Sequence, residues 1–359
     1  MLLWALIACD TAAAQRQSGR VYEFLNLPAT ARITALGGYA IPDLDNDLGM
    51  ALFYPALINP GLQNEISLNF VDYFSDIHYG TVAFSYGFEK IGNLTFAINY
   101  ISYGRFIEAD EFGYQTGEFS AGEYAATIGW GRALTEKISI GSNLKIITST
   151  LEQYSSLGLA TDVSVAYTDP DRLLATSLVL RNMGRQITTY DNRREPLPFD
   201  IVLGASKKLT NAPLRFSFVA HNLHIPDLTY QELQLPGQSL LISQPGDATS
   251  QERFSEWGDK LLRHAVLGAE FIPSKNFFAA IGYNYRRRKE MGVDSRLSTV
   301  GLSWGIGVRV SHFMFQYGRS NYHLAGAPNH FSITTNLDRL FFRPQDTPVL
   351  QPTIREDGN

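Results

Sequence analysis

A triplet of acidic residues near the N-terminus has the residue types of a calcium site. Asp43, Asp45 and Asp47 alternate along the stretch D-L-D-N-D, which is how a calcium-binding loop begins. Such a loop also needs Gly at its sixth position and Glu at its twelfth, where this chain has Leu48 and Tyr54. The sequence therefore favours a solvated turn here over a metal site.

Two further groups of side chains could bind an ion, and neither forms a complete site. His221 and His224 have a spacing that metals accept, but no acidic or sulfur ligand is fixed near them. The basic run 286–289 would contact lipopolysaccharide phosphates if it lay at an outer rim, or else form an ordinary solvated loop. The chain has no Gly-rich phosphate loop, nucleophile elbow or kinase signature. We therefore predict no cofactor, no metal and no enzyme.

Composition narrows the class of protein further. The net charge of −5 gives no reason to expect a nucleic-acid partner. Charged residues make up 18% of the chain, below the roughly 25% of soluble domains. Beyond the N-terminus there is no uninterrupted apolar window of about 18 residues, so a helical membrane protein is not expected.

The main signal from Glu65 onward is strict alternation, which is typical of strands with two different faces. In the stretch 93–102, for example, Leu94, Phe96 and Ile98 share one face, and Thr95 and Ala97 share the other. Most of these runs have ten residues or more, the length that crosses a bilayer at a tilt. Fourteen such strands are predicted, at 65–75, 77–87, 92–102, 119–133, 138–152, 156–169, 173–183, 198–208, 213–222, 263–273, 276–286, 297–307, 309–318 and 330–337.

The connections between these strands alternate in length. Every second connection is a short turn, and several of the others are long, including 104–118 and 223–262. Short turns on one rim and long loops on the other are typical of outer-membrane barrels. The sequence thus predicts an all-β, transmembrane antiparallel β-barrel over residues 65–340, in the outer membrane with both termini periplasmic. The alternative is one or two soluble β-sandwiches.

A barrel of fourteen strands has a lumen too wide for wall side chains alone to fill. Residues 15–64 precede the first strand, and we predict that they form a plug inside it. Gly37 and Gly38 would take positive φ and pass close to the wall. Arg32 would pair with a lumenal carboxylate, Asp162 or Glu270, or else point to periplasmic water. The residues assigned to this structural plug motif are Leu27, Pro28, Ala31, Arg32, Leu36, Gly37 and Gly38.

The two ends of the chain are predicted to lie outside the barrel. Residues 1–14 have the apolar core and small-residue site of a signal peptide cleaved after Ala14. Lipoprotein processing at Cys9 and a short buried helix are the alternatives. Residues 341–359 are rich in Pro and polar residues, so we expect a disordered periplasmic tail.

One amphipathic helical window lies in the longest loop, at residues 252–262. Phe254, Trp257, Leu261 and Leu262 recur there near helical spacing. This candidate partner-binding loop would either dock a protein or cap the barrel mouth.

The chain also resembles a known family of outer-membrane proteins. The resemblance lies in F-L-N-L-P-A-T-A-R-I-T-A-L-G-G, residues 24–38, followed by Y-P-A-L-I-N-P at residues 54–60. This pattern is similar to the PorV/PorQ family of the type IX secretion system of Bacteroidetes, whose barrel is FadL-like. Tyr54 stands where that family usually has Asn. Residues 100–106, 110–123 and 143–154 are similar to the PorQ branch.

The resemblance implies a non-enzymatic component of the attachment complex on the cell surface. Its implied partner is PorZ, a lipopolysaccharide-binding surface protein. PorU and PorV are implied as more indirect partners. Outer-membrane lipid and lipopolysaccharide would surround the barrel. The sequence therefore predicts docking of a surface protein by the long outer loops. The alternatives are a FadL-like channel for a hydrophobic small molecule and a water-filled porin.

Overall fold

The chain folds into one closed β-barrel of fourteen antiparallel strands. The computed structural model describes residues 19–73, 76–88, 91–229, 257–291, 299–321 and 326–341. Each strand pairs with its neighbours in sequence, and β1 pairs with β14 to close the barrel. The strands are β1 (Glu65–Asp72), β2 (His78–Phe88), β3 (Gly92–Ala109), β4 (Gln115–Ala133), β5 (Ile138–Leu151), β6 (Tyr154–Asp169), β7 (Leu174–Thr188), β8 (Asp200–Lys208), β9 (Leu214–Ala220), β10 (Ala265–Ser274), β11 (Phe277–Asn284), β12 (Leu302–Val310), β13 (Phe313–Ser320) and β14 (Asn329–Asn336).

The two faces of the wall differ in polarity. On β1, the side chains of Leu68 and Phe70 are exposed on the outside, whereas Ser67 and Asn69 are buried on the inside. The same alternation recurs from strand to strand, with large apolar residues outward and small or polar ones inward. A closed sheet with an apolar outer face satisfies its backbone internally and suits a lipid environment. The predicted fourteen-stranded transmembrane barrel is confirmed.

The connections sort the barrel ends into two rims. At one end, which we call the turn rim, the six connections have five residues or fewer. At the other end, the loop rim, residues 189–199, 221–264 and 285–301 form much longer connections. Residues 230–256 and 292–298 of these connections lie outside the described residues.

Several predicted strand boundaries are wrong, including those of β3, β4 and β12. Residues 104–118, expected to form a loop, instead continue β3 to Ala109 and begin β4 at Gln115, with only a turn between them. The strand predicted at 297–307 starts at Leu302, because the preceding residues 299–301 form a turn in which Gly301 has a φ of 87°.

The described helices are short and lie outside the sheet. They are α1 (Ala31–Ala35), α2 (Leu48–Phe53), α3 (257–262), α4 (Tyr285–Met291) and α5 (Leu337–Phe341). None of them has both the length and the apolar character needed to cross a membrane. Helices α3 and α4 belong to the loop rim. Helices α1 and α2 belong to residues 19–62, which we call the inner segment.

Candidate functional site

The inner segment lies against inward-facing side chains of strands on opposite sides of the barrel. Helix α1 packs on β11 to β14, and the 3-10 turn Pro55–Leu57 packs on β4 to β6. Thr30 begins α1, accepting a hydrogen bond from the backbone N–H of Ile33. Asp47 begins α2 in the same way, accepting from Gly49 and Met50. Side-chain caps therefore fix both short helices inside the barrel.

Polar wall side chains hydrogen-bond the backbone of the inner segment near α1. The backbone N–H of Ala31 donates to Ser332 Oγ at 2.8 Å, and Ser303 Oγ donates to the carbonyl of Ala35 at 3.1 Å. Asn284 donates to the carbonyl of Gly37 at 3.2 Å. An irregular chain inside a barrel needs such partners, because its buried N–H and C=O groups would otherwise be unsatisfied.

The opposite wall binds the inner segment in the same manner. Asn143 on β5 donates to the carbonyl of Leu52 at 2.9 Å, and the N–H of Ala56 donates to Ser164 Oγ on β6 at 2.6 Å. Arg181 on β7 donates to the carbonyl of Leu25 at 3.0 Å. The inner segment is therefore bonded to the wall on both sides of the lumen.

Glycines allow the closest approaches between wall and inner segment. A Cβ at Gly318 on β13 would lie 2.2 Å from the carbonyl oxygen of Ala31, and one at Gly141 on β5 would lie 2.2 Å from Pro55. In the inner segment, Gly37 and Gly38 have φ values of 97° and 90°, the conformation expected of them. At Gly318 and Gly141, the wall and the inner segment lie so close together that only glycine can be accommodated.

Of the predicted plug residues, Pro28, Ala31, Arg32 and Leu36 are buried, and Leu27 is half-buried. All of them belong to the inner segment and lie inside the barrel. The predicted signal peptide, the N-terminal residues up to 18 and the tail from 342 onward lie outside the described residues.

Arg32 is the centre of a buried ion cluster. Its Nε donates to Glu270 on β10 at 2.8 Å, and its Nη2 donates to the other oxygen of the same carboxylate at 3.1 Å. Its Nη1 lies 2.8 Å from both Asp43 and Asp47. Of the two carboxylates that the sequence offered, Glu270 is the partner of Arg32, and Asp162 is not.

Arg215 on β9 completes the cluster from the wall. It contacts Glu270 at 3.0 Å and forms an ion pair with Asp45. The acidic triplet of D-L-D-N-D is therefore an ion-pairing element, and the prediction of a solvated turn is wrong for Asp43 and Asp47, which are largely buried by these contacts. Sequence reasoning missed Arg215, because nothing near it in the chain marks it as a partner of the N-terminus.

Charge in this cluster is unbalanced. With four carboxylates and two guanidiniums, it carries two surplus negative charges when every group is ionised. Burial raises the pKa of Asp43 to about 7, although the guanidinium of Arg32 opposes the shift. The pKa of Asp45 is lowered below its usual value. Burial acts to raise it, but the guanidiniums of Arg215 and Arg32 together have the larger effect. Asp43 is thus the carboxyl that takes up a proton near neutral pH.

A β-bulge turns two consecutive polar residues of β7 inward. The register with β6 shifts between Thr161 and Val163, so that Arg181 and Asn182 together oppose Asp162. Lys145 on β5 lies 2.8 Å from Asp162 and donates to Asn182 at 2.8 Å. These residues form a second polar cluster across β5 to β7. The position of this bulge could not be predicted, because alternation of apolar and polar residues does not reveal a bulge.

The second cluster borders a small cavity beside the inner segment. Arg181 lies over the ring of Phe53, with 3.8 Å between its Cζ and the ring centroid. Its Nε has no hydrogen-bond partner within the described part of the chain. The cavity measures about 50 Å³ and is also lined by Leu27, Leu52 and Lys145. It has room for one or two water molecules and not for an alkyl chain.

A much larger apolar hollow lies on the outer face of the wall. It measures about 570 Å³ and is lined by residues of β7 to β12, among them the exposed Phe216, Phe218, Leu267, Ile281 and Leu302. These side chains alternate with the inward-facing ones on the same strands, so this hollow faces lipid and does not belong to the lumen.

The histidines and the basic run contact neighbouring side chains. His221 stacks on Tyr39 of the inner segment, with 4.3 Å between ring centroids, and His224 meets Phe199 edge to face. Within the described ranges, no group of three His, Cys, Asp or Glu residues could hold a metal ion. The basic run lies in α4, where Arg286 pairs with Glu290 at 2.7 Å.

The loop rim exposes apolar side chains of α3. Trp257, Leu261 and Leu262 are all exposed, with Trp257 at 69%. Asp259 of the same helix accepts a hydrogen bond from Tyr285 of α4 at 2.6 Å, so the helix is anchored to its neighbour. Phe254, the fourth residue of the predicted partner-binding loop, lies outside the described residues.

The loop rim also carries a hairpin that rises beyond the rest of the wall. Strands β3 and β4 have 18 and 19 residues, whereas about ten suffice to cross a bilayer. Pairing of β3 with β2 ends at Ser102, and pairing of β4 with β5 ends at Ala121. Residues 105–119 therefore form a two-stranded ribbon, which we call the outer hairpin. All its side chains but that of Phe119 are exposed.

Comparison with known proteins gives only remote likenesses. No protein-family model matches the chain, and no curated protein matches it. Among solved structures, it is similar to the toluene transporter TodX of Pseudomonas putida, with 11% identity, 86% of this chain and 96% of that chain covered, and a TM-score of 0.45. A FadL homologue of Pseudomonas aeruginosa gives 10% identity, coverage of 86% and 98%, and a TM-score of 0.47. The KdgM porin gives 5% identity, with 76% of this chain and 98% of that chain covered, and a TM-score of 0.33. Likenesses this remote transfer no ligand and no activity to this chain.

Proposed function

We propose that this chain is a non-enzymatic outer-membrane protein that docks a cell-surface partner at its loop rim. Its lumen would be closed by the inner segment acting as a plug, and both termini would be periplasmic. The partner would be a PorZ-like protein of a type IX secretion attachment complex, with PorU-like and PorV-like proteins held less directly. The chain would be the PorQ-like member of that complex.

The occupied lumen is the observation that carries this proposal. Wall side chains from β5, β6, β7, β11, β12 and β14 hydrogen-bond the backbone of the inner segment. The ion cluster of Arg32, Glu270 and Arg215 adds a charged connection to β9 and β10. A conduit through the barrel would require these contacts to break together. Binding at the rim requires none of them to change.

The shape of the loop rim supports the same conclusion. The outer hairpin and α3 present exposed aromatic and aliphatic side chains, including Phe112, Tyr114 and Trp257. Exposed apolar side chains next to charged ones are common at protein-binding sites. The family resemblance implies the secretion system and the partner; it lies in residues 24–38, 54–60, 100–106, 110–123 and 143–154.

The test is co-purification from detergent-solubilised membranes. The wild-type chain is expected to retain a PorZ-like surface protein, and a variant whose residues 221–264 are replaced by a short Gly-Ser linker is expected to retain less. A matched control replaces the turn 209–213 on the turn rim with Gly and Ser. If no surface protein is retained by the wild type and loss of residues 221–264 changes nothing, the docking role is wrong.

A FadL-like channel for a hydrophobic small molecule is the second candidate function. The observation that favours it is the cavity beside Leu27, Leu52 and Phe53, which would enlarge if the inner segment moved. Saturable binding or uptake of a fatty acid by the purified chain would place this function ahead of docking.

A further inference from the structure

We propose that the outer hairpin binds its partner by β-strand addition, with an extended, basic segment of the partner pairing along the outer edge of β3 at residues 105–109. This inference rests on the proposed docking function and specifies where and how the partner binds.

The backbone of β3 has a free edge above the barrel wall. Its last pair with β2 joins Ser102 and His78, and from Arg105 onward it pairs with β4 alone among the described residues. A strand with unpaired N–H and C=O groups on one side is a template for an added strand. Along residues 105–109, alternate residues direct their N–H and C=O groups to this free edge.

A bulge separates this edge from the membrane-spanning part of β3. The register with β4 shifts between Ser102 and Arg105, and Gly104 has a φ of 83°. A bulge bends a strand and increases its twist. The edge above it is therefore turned relative to the wall, where a partner above the membrane can reach it.

The edge of β3 is a better template than the edge of β4. On β4, Gly117 pairs with Glu108 and Gln115 pairs with Ala109. Thr116 between them is therefore an extra, unpaired residue that interrupts the free edge of β4. Glu152 also donates its N–H to the carbonyl of Ser120 at the base of that edge. The free part of β3 has no internal irregularity, so an added strand can keep one register along it.

The side chains of the outer hairpin define the chemistry of the partner. Glu108, Asp110, Glu111 and Glu118 oppose a single basic residue, Arg105, so the hairpin carries a net charge of −3. Apolar side chains lie between these charges in the sequence. Ile107 is 61% exposed and Phe112 is 77% exposed. An added strand that carries Lys or Arg and aliphatic residues in alternation would match both features.

An isolated two-stranded hairpin is only marginally stable in water. Within the outer hairpin, the rings of Phe106 and Phe119 stack at 5.1 Å between centroids, and Arg105 lies 4.0 Å from Glu118. Exposed contacts of this kind add little stability. A third strand would extend this ribbon along the edge of β3 and pair with the backbone groups that are free there.

The test measures backbone protection and affinity in the complex with the PorZ-like partner. In hydrogen–deuterium exchange of the full chain in detergent, alternate amides of residues 105–109 should exchange at least about tenfold more slowly in the complex. The amides of 115–119 that point away from β3 should not change. Protection on the β4 edge alone, or on neither edge, would overturn the inference.

Charge reversal supplies an independent measurement. The double variant Glu108→Lys and Glu118→Lys should weaken partner binding by tenfold or more, whereas Glu152→Lys, an exposed site on the neighbouring β5–β6 turn, should not. Binding unchanged in the double variant would overturn the inference while leaving docking intact. If the wild type forms no complex at all, the proposed function fails first, and the inference fails with it.

Discussion

Arg32 and Glu270 are separated by 238 residues in the chain, yet two hydrogen bonds of 2.8 and 3.1 Å join the guanidinium of one to the carboxylate of the other. Both side chains are almost completely buried. The pair links α1 of the inner segment to β10 of the wall, and Arg215 and Asp43 extend it to β9 and to the approach to α2. A buried charged connection between the inner segment and the barrel therefore lies at this pair.

Neutralising Glu270 should loosen the inner segment and leave the barrel intact. In Glu270→Gln, Arg32 and Arg215 lose their shared carboxylate, and removal of one partner from a buried ion pair costs about 3 kcal/mol or more. Exchange of the amides of α1 and α2 should accelerate by up to roughly a hundredfold. Glu152→Gln, at an exposed turn, is the control. Equal protection in both variants would show that the ion pair does not anchor the segment.

Rising pH should weaken the attachment of the inner segment. The pKa of Asp43 is raised to about 7 in the folded chain, above its ordinary value, so the folded state holds a proton that a detached segment releases. This contribution is present at low pH and is lost as the pH rises towards and through 7. Between pH 6 and 8, opening should increase by up to about tenfold after correction for intrinsic exchange. Asp43→Asn should abolish that dependence, and a dependence of opposite sign would contradict it.

A side chain at Gly318 should displace α1. A Cβ there would meet the carbonyl oxygen of Ala31 at 2.2 Å, and backbone cannot yield as a flexible side chain does. Gly318→Val should lower the midpoint of thermal unfolding in detergent and expose α1 to protease. Gly258→Val, at a glycine with open space around it, is the matched control. A variant at Gly318 as stable and as protected as wild type would show that wall and segment are not in contact there.

Shortening the outer hairpin should leave the barrel's stability unchanged. Residues 105–119 are largely exposed and pair only with each other among the described residues, so their removal takes no contact from the wall. Replacing them with a two-residue Asn-Gly turn should change the unfolding midpoint by no more than a few degrees while abolishing partner binding. A large loss of stability would indicate that the hairpin supports the barrel.

The strands could be predicted because burial on one face and lipid on the other impose alternation on the sequence. Where that constraint ends, prediction failed. Residues 104–118 meet solvent on both faces, so their Gly and acidic residues resemble a loop although they form strands. Alternation of apolar and polar residues predicts a strand only where the two faces of the sheet lie in different environments.

The interior contacts were only partly predictable. The positive φ of Gly37 and Gly38 follows from their residue type, and Glu270 was one of two carboxylates expected for Arg32. The partnership of Arg215 with Asp45 joins residues 170 positions apart, and local sequence carries no trace of it. Its existence depends on the barrel's register, which becomes known only with the fold.

The closed lumen is tested most directly by conductance in a planar bilayer, with the purified full chain at neutral pH. The contacts of the inner segment predict no large, steady single-channel steps from the wild type. A variant lacking residues 19–62 is expected to show them, because the lumen of a fourteen-stranded barrel is then open. Large steps from the wild type would contradict the closed lumen and, with it, the assignment of function to the loop rim.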